Sequence, residues 1–204
     1  TLGLLTAVKI GFGDAFWRPE PVTLLNLFFK LFYIMGAALL IGLIEEFFFR
    51  GIVFQTFIRR FSWSVPGSVI ATSIFYSLIH FISHKKPFVG PEPTWIDSLR
   101  LVAAPFKSLV NWPEFWPAAV GLFIFGIILN GLVIWTKSLY PAMGLHAGCV
   151  FFIKADGLFV DFSDVSNKII FASNKMYDGM LGWVFLAAMG YLLWRIFQKR
   201  AVSK

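Results

Sequence analysis

Polar and apolar positions along this chain are sorted into long blocks, not alternated at the short spacing of a soluble domain. From Leu24 to Phe57 the only charged residues are Lys30, Glu45, Glu46 and Arg50. Crossing a bilayer core takes about 20 apolar residues. The block therefore predicts a first helix from about Val22 to Arg59 that crosses and emerges, with Arg59 and Arg60 at its exit. Pro66-Gly67 opens a second helix that runs to about Ser83 and ends at His84-Lys85-Lys86. A third span is expected at about Phe115 to Thr136, a fourth at about Leu139 to Lys154, and a last at about Gly179 to Phe197. The fourth is short for a lipid-exposed span, so protein should flank it. Between the second and third spans, Trp95 to Val110 carries Arg100 and Lys107 on an apolar pattern, which suits an interfacial or re-entrant helix.

The connecting stretches fit this division. Residues 1–12 are apolar but too short to cross, as the end of a helix whose upstream part is missing would be. Residues 13–21 read as a turn, and 155–178, with Asp156, Asp161, Asp164 and Asp178, as a polar loop. The expected fold is all-α: a polytopic transmembrane helix bundle forming one membrane-embedded domain over residues 1–204, with a functional core at about 22–155.

Composition agrees. The 204 residues are 58% hydrophobic and 14% charged, against about 25% charged in soluble domains, and the mean hydropathy is +0.74. The net charge of +7 does not indicate nucleic acid, because the basic residues fall between and beyond the apolar runs, where lipid headgroups would meet them. Basic pairs at Arg59-Arg60 and Lys199-Arg200, with Lys137, fall on one side if each span crosses once, and the acidic 155–178 loop on the other. That arrangement favours a cytoplasmic C-terminus. Cys149 is the only cysteine, which excludes an internal disulfide and a Cys-rich zinc site.

Against this apolar background the polar groups inside the spans carry the chemistry. An ionised carboxylate at bilayer depth costs several kcal/mol, roughly 2.5–3.5 on lenient scales, so an intramembrane acid pair marks a functional site. Glu46 and Arg50 are four apart and can pair on one helix face, while Glu45 lies about 100° further round and is free to meet another partner. One arginine does not neutralise two acids at depth. On the second helix Ser73, Ser77, His80 and His84 form one polar stripe bordered by Tyr76. His146 lies between Gly144 and Gly148, a small-residue spacing that permits close helix contact. Asn130 on the third span suits an interhelical hydrogen bond or a catalytic role.

One acid pair and two imidazoles thus come from three helices. They can activate water, with the carboxylate as base and histidine orienting it or stabilising an oxyanion. Glu45, His80 and His146 are equally acceptable ligands for a divalent metal such as zinc. No serine stands in a nucleophile-elbow context.

The motifs in this order resemble the CPBP family: the CAAX prenyl endopeptidase and bacteriocin-processing intramembrane proteases, also called the abortive-infection family. They are Glu45-Glu46-Phe-Phe-Phe-Arg50-Gly51, then Tyr76-Ser-Leu-Ile-His80, then Ser138 to His146. The resemblance covers about residues 25–155. It implies an all-helical bacterial inner-membrane protease that cuts a membrane-anchored, prenylated or leader-bearing peptide substrate. It also implies roles: Glu45 as general base, His80 holding the attacking water, His146 stabilising the oxyanion, and Glu46 and Arg50 shaping the site. Where members often carry Asn or Asp four residues after the last His, this chain has Val150, a place Asn130 fills if the third and fourth spans pack closely. The competing readings are an immunity or interaction protein on the same scaffold, a proton-coupled transporter, and haem ligation by His80 and His146.

Overall fold

The computed structural model describes residues 2–11, 16–17, 23–82, 94–110, 112–161 and 177–202. A first helix, α1 (Leu2–Gly11), is followed by a two-residue strand, β1 (Phe16–Trp17). The long first span begins at Thr23, whose Oγ1 accepts from the Asn26 amide at 3.4 Å. It runs as α2 (Leu24–Glu46), widens into a π-helical segment (Phe47–Val53), and closes as α3 (Phe54–Arg59). The change in helix type falls directly after the acid pair, a break that residue spacing alone does not reveal.

Ser64 caps α4 (Val65–Ile79), accepting from the Gly67 amide at 3.2 Å, with Pro66 in the first turn. The expected extension of this helix to Ser83 does not occur. The His80 backbone N–H reaches back to Ser77 at 3.3 Å in a tighter turn, and its ring takes the Tyr76 carbonyl. Ser83 and His84 lie outside the described residues. The expected interfacial element is α5 (Trp95–Ala103), opened by a Thr94–Asp97 capping box, and a 3₁₀ turn (Ala104–Val110). No residue of α5 is buried, and Trp95, Leu99 and Val102 are exposed beside Arg100, as on a helix lying at a lipid surface.

The remaining helices are α6 (Trp112–Thr136), α7 (Tyr140–Asp156) and α8 (Met180–Val202). Within the stretches read as a turn and a polar loop, residues 16–17 and 155–161 include two short strands. Phe16–Trp17 pairs antiparallel with β2 (Val160–Asp161), Trp17 stacks on Phe159 with ring centroids 5.8 Å apart, and Thr6 donates to Asp156 at 2.6 Å. Asp164 lies outside the described residues.

Among the described residues three helices are long and apolar enough to cross a membrane: Leu24–Arg59, Phe115–Thr136 and Met180–Phe197. Their burial differs: 56% of the α6 span is enclosed, against 11% of each of the other two. Thus α6 is the central post, and α2 and α8 turn broad apolar faces outward, where lipid replaces the protein core. The large exposed side chains Phe28, Phe29, Phe32, Leu39 and Leu43 along α2 would be untenable in water. The chain is an integral membrane protein with an all-α architecture. The core is built from Leu122, Phe125, Leu129 and Leu132 of α6 with Phe49, Tyr76, Ala142, Cys149 and Leu186. Helix α2 packs most extensively on α7, and α4 and α8 on α6.

The close approach of α2 and α7 runs through Gly42, not through the glycines that flank His146. A Cβ on Gly42 would lie 3.0 Å from both the Ala147 nitrogen and the Met143 oxygen, whereas at Gly144 and Gly148 nothing stands within 4 Å. The small residue that matters is one turn before Glu46, and it lets the two backbones touch where the acid must reach His146.

Candidate active site

Glu46 reaches no solvent. Its Oε1 accepts from Arg50 Nη1 at 3.0 Å and from His146 Nδ1 at 2.8 Å. Arg50, equally enclosed, donates through Nη2 to the Gly126 carbonyl at 3.3 Å and lies 4.6 Å over the Tyr76 ring. The pairing of Glu46 with Arg50 agrees with their spacing, but Glu46 also binds His146, a hundred residues away, which spacing on one helix does not show.

Glu45 stands beside this buried network. Its Oε2 is 3.5 Å from His80 Nε2 and 3.8 Å from His146 Nε2. Glu45 and His80 are 29% and 26% exposed and His146 is 4% exposed, so the cluster is reached from one side. Tyr76 wedges between the imidazoles, its ring 4.5 Å from that of His80 and 6.2 Å from that of His146, and Phe125 meets His146 edge-on at 5.6 Å.

The partners decide where the ring protons sit. His80 Nδ1 lies 2.7 Å from the Tyr76 carbonyl, which only accepts, so a neutral His80 carries its proton on Nδ1. His146 Nδ1 faces a Glu46 oxygen already bound to arginine, so it donates as well. Both neutral rings then turn Nε2 lone pairs toward an acceptor oxygen of Glu45. Three acceptors converge, and the cluster is satisfied only by an added proton on a ring or by a small donor such as water between them.

Zinc accepts two imidazoles and a carboxylate, and rings held through their other nitrogen are common at such sites. However, among the described residues no three His, Cys, Asp or Glu side chains are arranged to hold one ion.

The cluster borders two cavities. One of about 250 Å³ lies between α2, α6 and α7, and its wall includes Glu45, His80, His146, Val150, Lys154 and Tyr177. The other, of about 320 Å³, is lined by Glu45, Phe48, Phe49, Ile79 and His80. Asn130 lies elsewhere: fully buried between α6 and α4, it donates to Ser73 Oγ at 3.1 Å and lines neither cavity. Ser77 likewise bonds the Ala119 carbonyl at 2.7 Å, so the serines of the α4 stripe join helices and only His80 faces the cluster. The residues missed from sequence are Tyr177 and the structural part of Tyr76. An aromatic one turn before His80 was visible, but Tyr177 sits in a polar stretch with no motif.

A membrane helix bundle that gathers an acid and two imidazoles at the edge of internal cavities has the parts of an intramembrane hydrolase. A family model for type II CAAX prenyl endopeptidases, Rce1-like, matches residues 27–152, more than half the chain and the whole of the cluster. The protein belongs to this Rce1-like family and is an intramembrane protease of the CAAX type. No curated protein and no solved structure matches the chain significantly.

Proposed function

We propose that the protein is an endopeptidase in which Glu45 activates water against a peptide bond held in the cavity between α2, α6 and α7. The observation that supports this is the convergence of Glu45 Oε2, a buried carboxylate oxygen with no hydrogen-bond partner, on two imidazole Nε2 atoms at 3.5 and 3.8 Å, beside the cavity. A water there donates one hydrogen to Glu45 and the other to the Nε2 lone pair of a neutral His80. Glu45 takes the proton as the water oxygen bonds to the carbonyl carbon, and returns it to the amine nitrogen as the C–N bond breaks. A doubly protonated His146 satisfies Glu46 through Nδ1 and presents Nε2–H to the oxyanion. Arg50 holds Glu46 in place through their 3.0 Å bond.

No ion is needed in this sequence of steps, because Glu45 supplies the base and His146 the positive charge. The second cavity, walled by Phe48, Phe49 and Ile79, brings the Glu45–His80 pair up to the outer apolar face. That supports substrates anchored in lipid, such as prenylated peptides.

Glu45→Gln keeps the side chain's size and removes the base. Purified variant and wild type are compared on a quenched fluorogenic peptide with and without a farnesylated cysteine, alongside elemental analysis of the protein. Cleavage should fall at least about 10³-fold with unfolding unchanged. Retained cleavage in the variant, or stoichiometric metal whose chelation stops the wild type, would refute the mechanism.

A further inference from the structure

An oxyanion formed in this cavity needs more than one donor, and His146 Nε2–H is one. One turn further along the same face of α7 the wall is Val150, which cannot donate. The other lining side chains with donors are Tyr76, Cys149, Lys154 and Tyr177. Tyr76 is 1% exposed and packed against both imidazoles, and a thiol is a weak donor. Lys154 lies eight residues from His146, about 12 Å along the helix. Tyr177 comes from a different element, the stretch just before α8.

We propose that the Tyr177 hydroxyl is a catalytic residue, donating the second hydrogen bond to the oxyanion in the cavity it shares with Glu45 and His146. This inference rests on the peptidase mechanism above. The backbone around Tyr177 is firmly seated. Its carbonyl oxygen occupies the place a Cβ on Gly121 would take, so only glycine lets this segment rest on α6. The ring itself packs against the core formed by α6 and its neighbours. Burial, then the charges of Asp178 and Glu45, push the phenol above its ordinary value, so it remains a protonated donor throughout the pH range of an assay.

The test compares wild type, Y177F, Y177F/V150N, K154M and E45Q on the same peptide. Losing one oxyanion donor lowers kcat by about 10²–10³-fold, so Y177F should show that loss with KM within about 3-fold and an unchanged unfolding temperature. Restoring a donor one turn from His146, in Y177F/V150N, should recover about tenfold or more of kcat. K154M removes the other polar donor of the cavity wall, and Y177F should lose more kcat than K154M does. Full kcat in Y177F, or a loss in Y177F that follows a lowered unfolding temperature and is not rescued by V150N, overturns the assignment. So does a kcat loss in K154M with none in Y177F. An inactive wild type, or an active E45Q, instead overturns the underlying mechanism and this inference with it.

Discussion

Replacing Glu46 by Gln tests the buried network most directly. The change keeps volume and leaves an amide oxygen that can still accept from His146. It removes the only counter-charge bonded to Arg50, a guanidinium with no exposed surface. That guanidinium has no route to solvent, being held by the Gly126 carbonyl at 3.3 Å and the Tyr76 ring at 4.6 Å. Taking one partner from a buried ion pair costs about 3–5 kcal/mol, and Glu46→Gln should lose that much. Arg50→Met should cost a similar amount, because it leaves a carboxylate with His146 alone. The double variant removes both members of the ion pair and should sit within about 2 kcal/mol of wild type. A double-mutant cycle by reversible denaturant titration in lipid–detergent micelles should therefore give a coupling above about 2 kcal/mol. A Glu46→Gln variant within about 1 kcal/mol of wild type, or losses that add to within about 0.5 kcal/mol, would refute the account.

Two further outcomes follow from packing. Gly42→Ala places a methyl 3.0 Å from two backbone atoms of α7, so α2 and α7 must part. It should cost about 1–3 kcal/mol and lower kcat at least tenfold as Glu46 and His146 separate, while Gly144→Ala, facing open space, should be within about 0.5 kcal/mol of wild type in the same titration. Asn130→Ala should cost about 1–3 kcal/mol by leaving Ser73 without its partner, yet keep turnover per folded molecule within about threefold. A larger kinetic loss would return Asn130 to the reaction.

The helical spans were legible because lipid makes composition almost sufficient: a run of apolar residues of bilayer length has few other solutions. Glu45, Glu46, His80 and His146 stood out for the same reason, since ionisable groups are rare and costly there. Their partners were less visible. Spacing pairs residues within one helix, so Glu46 with Arg50 was apparent, but the bond from Glu46 to His146 depends on how two distant helices cross. The glycines flanking His146 suggested the crossing point; Gly42, with no motif around it, provides it. The end of α4 was misplaced because His80 turns back on its own helix, and a side chain that competes for a backbone carbonyl is invisible to hydropathy. Asn130 looked equally suited to structure and chemistry until its neighbour proved to be Ser73.

The π-helical segment Phe47–Val53 amounts to one extra residue accommodated in an otherwise α-helical rod. Deleting a single residue there would restore ordinary winding and keep the span long enough for the membrane. The wide turn that absorbs the extra residue would go with it, so the helix beyond would keep its faces while the side chains inside the segment are re-aimed. Lost before Arg50, the residue would leave Arg50 three positions from Glu46 in place of four, so the 3.0 Å pair would have to form from a new position. In this stretch chain length is therefore as constrained as residue identity: a one-residue shortening should lower activity while leaving Glu45, Glu46, Arg50, His80 and His146 in the gene.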